Sequence, residues 1–351
     1  MKNQRREAIR WGIIGCGKVV EEKSGPAFNR VPNSSLYAIM RRKEEAARAS
    51  ANKLGAKKWY TKVEEMLEDH AVDAVYIATP PGAHLDQALA CSRARKPTYI
   101  EKPVARSYHE ALKIVEAFES SNTPLFAAHY RRALPKFKEI KNVIDSGEIG
   151  RVCEVDFRLN RKYQPADTSQ TWLYNPEISG GGKFFDIAPH TIDLMIFLFG
   201  DFESVHGLAA NHNKDYLVED IVTMTFKTTY GVLGTANFNL IANEKSDQMT
   251  VYGTKGHMVF NVHGDAPIVI NGIKGTRHIE TKNPLCIEEP MIETVVKDLL
   301  GSGICPCSGR DALSTSRVID AVLSGYYNGR EDNFWERPES WNKTESQGSP
   351  I

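Results

Sequence analysis

The chain has 351 residues, 41% hydrophobic and 25% charged, a composition that suits a globular protein with room for two domains and full cores. Its 44 basic residues balance its 44 acidic ones, so no global charge draws it to nucleic acid or to an anionic membrane, and a small-molecule partner is expected. The cysteines (Cys16, Cys91, Cys153, Cys286, Cys305, Cys307) show no framework spacing, the basic stretch Met1 to Arg10 is not followed by a signal-peptide core, and no run reaches transmembrane length, so a cytoplasmic protein is expected.

The first apolar run ends in Gly15-Cys16-Gly17-Lys18-Val19-Val20, which resembles the G-x-G-x-x-G turn between the first strand and helix of a Rossmann fold. Gly15 and Gly17 permit a tight turn and the close approach of a pyrophosphate at a helix N-terminus, with Lys18 and Val19 completing the loop, but Val20 stands where a third small residue usually sits. A second strand, Ser35 to Met40, is followed by Arg41 and Arg42 at the position that meets the adenosine ribose. Guanidinium groups there offer charge and planar donors to a 2′-phosphate and favour NADP over NAD; the competing reading is that both arginines begin a solvated helix.

A helical pattern at 62–68 precedes the strand Asp73 to Pro80, whose two apolar faces fit a parallel sheet covered on both sides. Thr79, Pro80 and, just beyond, His84 lie at the strand's carboxyl end, the ligand side of an open α/β sheet. Further strands are expected at 97–101, ending in Glu101-Lys102-Pro103, and at 124–128, followed by Tyr130, Arg131 and Arg132. From about Gly150 strand-like runs follow one another without intervening helices, at 152–159, 204–209, 220–227, 231–239, 248–252 and 257–262, the pattern of an antiparallel sheet. Helices are expected at 290–300 and 310–326. The stretch from Asn328 is polar apart from Trp335 and Trp341, either an arm packed on the body or a disordered tail.

Within this second half, Gly180-Gly181-Gly182 precedes an apolar segment carrying Asp186, His190 and Asp193 at i, i+4 and i+7, one face of a helix. Pro189 fits only near a helix start, so Asp186 is expected at or just before the N-terminus, close to the free amides. Ionisable groups in so apolar a helix need partners or a task, and the glycines suit a bend or a ligand's approach to the backbone. A solvated helix face is the plainer alternative. A metal site lacks further ligands: no H-E-x-x-H and no Cys/His set accompanies the pair, and no metal is expected. The unperturbed pKa of a histidine, about 6.5, suits His190 to proton exchange near neutral pH.

Taken in order, Gly15-x-Gly17, Thr79-Pro80 with His84, Glu101-Lys102-Pro103 and Gly180-Gly-Gly-x-x-x-Asp186-x-x-x-His190-x-x-Asp193 resemble the Gfo/Idh/MocA oxidoreductases, the glucose-fructose oxidoreductase and inositol dehydrogenase family, over about 9–329. The resemblance implies an α/β chain with an N-terminal Rossmann dinucleotide-binding domain (1–128), a C-terminal α+β domain with a large, mostly antiparallel open sheet (129–330) and a polar tail (331–351). It also implies NADP or NAD as cofactor, a sugar or polyol substrate, and a homodimer or homotetramer built through the C-terminal sheet. By the same resemblance Lys102, Asp186 and His190 are the catalytic residues and Glu101 meets the nicotinamide ribose, while Tyr130, Arg131, Trp172 and Asp193 are pocket-wall candidates. Two positions depart from the family pattern, Val20 and Leu173, the latter where many relatives carry arginine. A redox-neutral enzyme that retains its nicotinamide and a non-catalytic dinucleotide sensor are the alternatives.

Overall fold

The structure is a computed structural model that describes residues 7–162, 168–213, 215–331 and 333–342. Its contacts divide the chain into two units: one takes residues up to 105, 110–134 and 283–313, the other 106–109, 135–282 and the chain from 314 onward.

In the first unit β1 (Ile9–Ile14), β2 (Ser34–Met40), β3 (Lys58–Tyr60), β4 (Ala74–Ile77), β5 (Thr98–Ile100) and β6 (Leu125–Ala127) form one sheet in the order β3-β2-β1-β4-β5-β6. Every pairing is parallel, and the order is that of the dinucleotide-binding Rossmann fold. β4, β5 and β6 are buried at every residue, because α1 (Glu44–Leu54), α2 (Val63–Glu68), α3 (His84–Arg93) and α4 (Tyr108–Ser120) alternate with the strands; this is why those strands read as uninterrupted apolar runs. The segment after the glycine turn departs from a regular helix. A single π turn, Val20–Ser24, runs into a 3-10 turn, Gly25–Asn29. Pro26 lacks the N–H that would continue an i→i−4 ladder, and Val20, buried at 1% exposure, takes the place of the expected small residue.

The second unit contains α5 (Pro135–Asp145), β7 (Val152–Lys162), α6 (Pro176–Ser179) and α7 (Lys183–Phe199), followed by seven more strands. These are β8 (Phe202–Ala210), β9 (Ile221–Thr228), β10 (Leu233–Ala242), β11 (Ser246–Gly253), β12 (Gly256–Phe260), β13 (Ile268–Gly272) and β14 (Gly275–Ile279). The eight strands pair in the order β14-β13-β12-β11-β7-β10-β9-β8, antiparallel except for β7 with β10. That parallel pair follows from the chain path: a crossover containing α7, β8 and β9 separates the two strands, as parallel neighbours require. Alternation sorts each strand by face. On β9, Val222, Met224, Phe226 and Thr228 are buried while Thr223, Thr225 and Lys227 are exposed. α7 covers the buried face, with Phe184 meeting Phe238 of β10 edge-on at 4.9 Å.

α8 (Glu289–Leu299) belongs to the first unit rather than to the second as the single expected boundary near 128 implied. Its buried face, Met291, Ile292, Val295 and Val296, explains this, because α8 packs on the turns Gly25–Asn29 and Tyr130–Ala133. α9 (Gly309–Tyr327) is the last long helix among the described residues. After it, residues 333–342 form a packed arm, with Phe334 and Trp341 buried and the Trp341 indole donating to the Phe334 carbonyl at 3.0 Å. Residues 343–351 of the polar tail lie outside the described residues.

Candidate active site

In a parallel sheet all strands end on one edge, and five of the six place expected site residues there. Gly15 to Val19 follow β1, Arg41 and Arg42 follow β2, Thr79 and Pro80 follow β4, Glu101 and Lys102 follow β5, and Tyr130 and Arg131 follow β6. Gly15 has φ +83°, in the left-handed region, and a Cβ there would stand 2.6 Å from Thr79 Cγ2, so this glycine is required by the turn. Gly17 differs: a Cβ on it would meet nothing within 4 Å. No protein atom demands a glycine at that place, which fits a backbone left bare for the approach of a phosphate group. The turn therefore fits a dinucleotide pyrophosphate. Lys18 and Val19 are exposed beside it.

Arg41 is partly committed within the protein. Its Nη1 donates to Ser50 Oγ at 2.8 Å and lies 3.8 Å from Glu21 Oε1, while Glu21 Oε2 takes Lys53 at 2.6 Å. Arg42 is exposed. His84 is fully buried, its Nε2 2.7 Å from the Thr79 carbonyl and its Nδ1 3.1 Å and 3.2 Å from the carbonyls of Val104 and Pro103. It ties the loop after β4 to the loop after β5, which holds Lys102. Arg131 and Arg132 are buried, Arg131 lying 5.1 Å over the Tyr130 ring and Arg132 donating to the Pro306 carbonyl at 2.8 Å.

In the second unit α7 starts at Lys183, so Asp186 is its fourth residue, inside the first turn rather than at or before the N-terminus. Pro189 lies deeper still, in the second turn, a correction to its expected place at the helix start. The helix there forgoes the bond to the Phe185 carbonyl, and burial of Phe184, Phe185, Ala188, Ile192 and Met195 maintains it. Asp186 and His190 are half-buried on one face; Asp193, one turn further on that face, is 1% exposed. The His190 ring meets His263 edge-on at 6.2 Å, and His263 Nε2 stands 3.2 Å from Thr191 Oγ1. Trp172 is half-buried in the 3-10 turn Thr168–Tyr174.

The carboxylate that meets the backbone amide at this helix start comes from far along the chain. Glu219 Oε1 accepts from the Gly182 N–H at 2.9 Å, Oε2 accepts from the Tyr327 hydroxyl, and Glu219 is 1% exposed. Arg330 lies beside it, donating to Asp320 at 2.7 Å and to the carbonyls of Gly180 and Arg106 at 2.8 Å, its guanidinium 4.1 Å over the Phe334 ring. The glycine triplet is explained by this packing. A Cβ at Gly180 would stand 2.8 Å from Arg106 Cα, one at Gly181 2.7 Å from Phe185 Cβ, and one at Gly182 2.6 Å from the Glu219 carbonyl. None of these residues carried a local signal, because Glu219 and Arg330 stand far along the chain from the glycines they fix.

Residues 9–129 match the oxidoreductase family, NAD-binding Rossmann fold, and residues 137–259 match the GFO/IDH/MocA C-terminal domain. Oxidoreductase P35 of Formosa agariphila is 39% identical over 316 residues, covering 89% of this chain and 97% of that protein. The chain belongs to the GFO/IDH/MocA oxidoreductase family. Within the family, 1,5-anhydro-D-fructose reductase of Ensifer adhaerens is 29% identical over 90% of this chain and 97% of its own. Among solved structures, levoglucosan dehydrogenase in complex with NADH and levoglucosan shares the fold, with a TM-score of 0.81 at 22% identity over 90% of this chain and 96% of that one.

For this GFO/IDH/MocA oxidoreductase the Glu219 cluster makes a direct stability prediction. Glu219→Ala leaves the Gly182 amide and the Tyr327 hydroxyl without their acceptor and is expected to cost about 2–3 kcal/mol, read as a lower urea midpoint, with Glu219→Gln costing less. Burial pushes the Glu219 carboxyl above its ordinary value, so the folded state binds that proton more tightly than the unfolded one. Wild-type stability relative to Glu219→Gln therefore falls as pH rises from the ordinary glutamate range through the raised value. A difference that does not vary with pH would exonerate the carboxyl.

Proposed function

We propose that this oxidoreductase transfers a hydride between a nicotinamide cofactor and a hydroxyl-bearing carbon, or the corresponding ketone, of a sugar, polyol or related small molecule. The observation that carries the reading is the pairing in one chain of a dinucleotide turn with a bare Gly17 and a helix presenting Asp186 and His190 on one half-buried face. The relatives support the substrate class: they include the anhydrofructose reductase and a myo-inositol 2-dehydrogenase of Thermotoga maritima, 26% identical over 91% of this chain and 94% of its own.

A bound nicotinamide dinucleotide supplies the hydride donor or acceptor. The chain's residues would divide the remaining work. The amides of Gly15 to Val19 hold the pyrophosphate, Thr79, Pro80 and the loop tied by His84 line the dinucleotide edge, and Glu101 accepts from the nicotinamide ribose. His190 exchanges the proton of the reacting hydroxyl, Lys102 sets a positive charge against the oxygen as alkoxide character develops, and Asp186 orients substrate or imidazole. Tyr130, Arg131 and Trp172 are assigned to the substrate pocket, and Asp193, deeply buried, to its support. Among the described residues no group of three or more His, Cys, Asp and Glu side chains is placed to hold a metal ion.

The cofactor preference we assign is NADP, on the basic cluster of Arg41, Arg42, Lys43 and Lys53 past β2, against which Glu21 is the counterweight. Arg41→Ala is expected to raise KM for the phosphorylated cofactor about tenfold and leave KM for the unphosphorylated one little changed. Equal effects on both would show that Arg41 serves only its bonds to Ser50 and Glu21. All six cysteines are free thiols, in keeping with a cytoplasmic enzyme, and no helix among the described residues is long and apolar enough to cross a membrane. A homodimer or homotetramer through the outer face of the second sheet, where Leu208 and Leu233 are exposed, is the assembly we expect, measurable by light scattering. The proposal as a whole is tested by a panel of sugars and polyols offered with both cofactors in both directions, where no turnover with any of them would reject it.

A further inference from the structure

Behind β5 the first unit encloses a set of polar groups that the reaction as proposed leaves unused. Tyr76, on β4, is fully buried in an aromatic row, stacked on Tyr99 at 5.2 Å and tilted against Phe28 at 5.2 Å. Its hydroxyl donates to Glu101 Oε1 at 2.5 Å, while Glu101 Oε2 accepts from the Lys102 amide at 3.1 Å. Two further oxygens stand at the same phenol: Ser24 Oγ at 3.2 Å and Glu288 Oε2, just ahead of α8, at 3.5 Å. Glu288 is 2% exposed.

A phenol has one proton. Given to Glu101 at the shortest of the three contacts, it leaves lone pairs on the Tyr76 oxygen facing Ser24 and Glu288, which can accept a hydrogen from either group that carries one. Serine can donate at any pH. A carboxyl can donate only when protonated, and two ionised carboxylates around one buried hydroxyl would repel each other at full cost. Burial, together with Glu101 close by, pushes the Glu288 carboxyl well above its ordinary value, against the pull of Lys23, Lys102 and the Tyr76 hydroxyl.

We propose that Tyr76 and Glu288 are positioning residues for the cofactor: Glu288, held as a neutral acid, and Ser24 donate to the Tyr76 oxygen, and Tyr76 in turn fixes the Glu101 carboxylate for a ribose hydroxyl. The inference rests on the assignment of Glu101 to the nicotinamide ribose. It explains why an acid stands in the interior at position 288 and why a tyrosine rather than a phenylalanine occupies a fully buried strand position.

The test is a dissociation constant, measured on the full-length protein by quenching of protein fluorescence with reduced nicotinamide dinucleotide, alongside steady-state kinetics. Tyr76→Phe keeps the ring and its stacking and removes the hydroxyl; cofactor affinity is expected to fall about tenfold, the loss of one hydrogen bond to a charged group. KM for the carbon substrate should stay near wild type, which a merely structural tyrosine would not guarantee. Glu288→Gln, whose amide can still donate, is expected to bind within about twofold of wild type, and Glu288→Ala to resemble Tyr76→Phe. Equal losses in Glu288→Gln and Glu288→Ala overturn the neutral-acid role. A loss in Glu101→Ala with none in Tyr76→Phe overturns the positioning inference alone, whereas unchanged affinity in Glu101→Ala overturns the ribose assignment and the inference with it.

Discussion

His190→Ala is expected to lower kcat by about 10²-fold or more while the dissociation constant for the cofactor stays within about twofold. The separation follows from the assigned roles: His190, on α7, serves the reacting hydroxyl, whereas the glycine turn, Arg41, Thr79 and Glu101, at strand ends of the first sheet, serve the dinucleotide. Interconverting an alcohol and a ketone moves a proton together with the hydride, and an imidazole, which can donate at one ring nitrogen and accept at the other, is suited to that proton in either direction. Its loss should also flatten the limb of the pH profile of kcat/KM that His190 causes. His190→Ala turning over at near the wild-type rate, with that limb intact, would mean that another group handles the proton.

Lys102→Ala is expected to reduce kcat by a comparable factor, about 10²-fold, for a different reason. A developing alkoxide needs positive charge at a fixed place, and the loop carrying Lys102 is fixed: the Lys102 amide is held by Glu101, and the following carbonyls of Pro103 and Val104 meet the buried His84 ring. Because Lys102 is assigned a charge rather than the exchanged proton, Lys102→Ala should lower the whole profile rather than erase one limb. Lys102→Arg keeps the charge on a longer, planar head and should recover only part of the rate. Full recovery would show that charge alone matters, and a normal rate in Lys102→Ala would remove the residue from the reaction.

Much of the Rossmann unit was legible because its strands are buried on both faces and broken by glycine and proline: β2, β4, β5 and β6 lie within a few residues of the expected runs. β3, β13 and β14 were not foreseen. β3 has two exposed residues among its three, and β14 is exposed along almost its whole length, so neither shows an apolar face to read. The bend after the glycine turn was hidden because Val19 to Lys23 gives no hint of a π turn, and only Gly25-Pro26 betrays it. On the site side, the shared face of Asp186 and His190 was readable from spacing within a single helix. The groups that fix that helix were not: Glu219 and Arg330 reach the glycines from positions remote in sequence, with Tyr327 bonded to Glu219, and Tyr76 and Glu288 are 212 residues apart. Periodicity reports neighbours within an element, and these contacts join elements. The glycine triplet shows the same limit, since its composition suggested room for a ligand and its surroundings supply protein atoms instead.

Net transfer of a hydride is the central claim, and stoichiometry tests it most directly: purified protein stripped of any retained nucleotide, supplied with a known amount of oxidised or reduced nicotinamide and an accepted sugar or polyol, is followed by nicotinamide absorbance and product analysis together. One nicotinamide converted per product formed is the expected result, at a rate about 10²-fold lower in both His190→Ala and Lys102→Ala. Product accumulating over many turnovers with no net change in nicotinamide would contradict it and establish a redox-neutral reaction on the same residues.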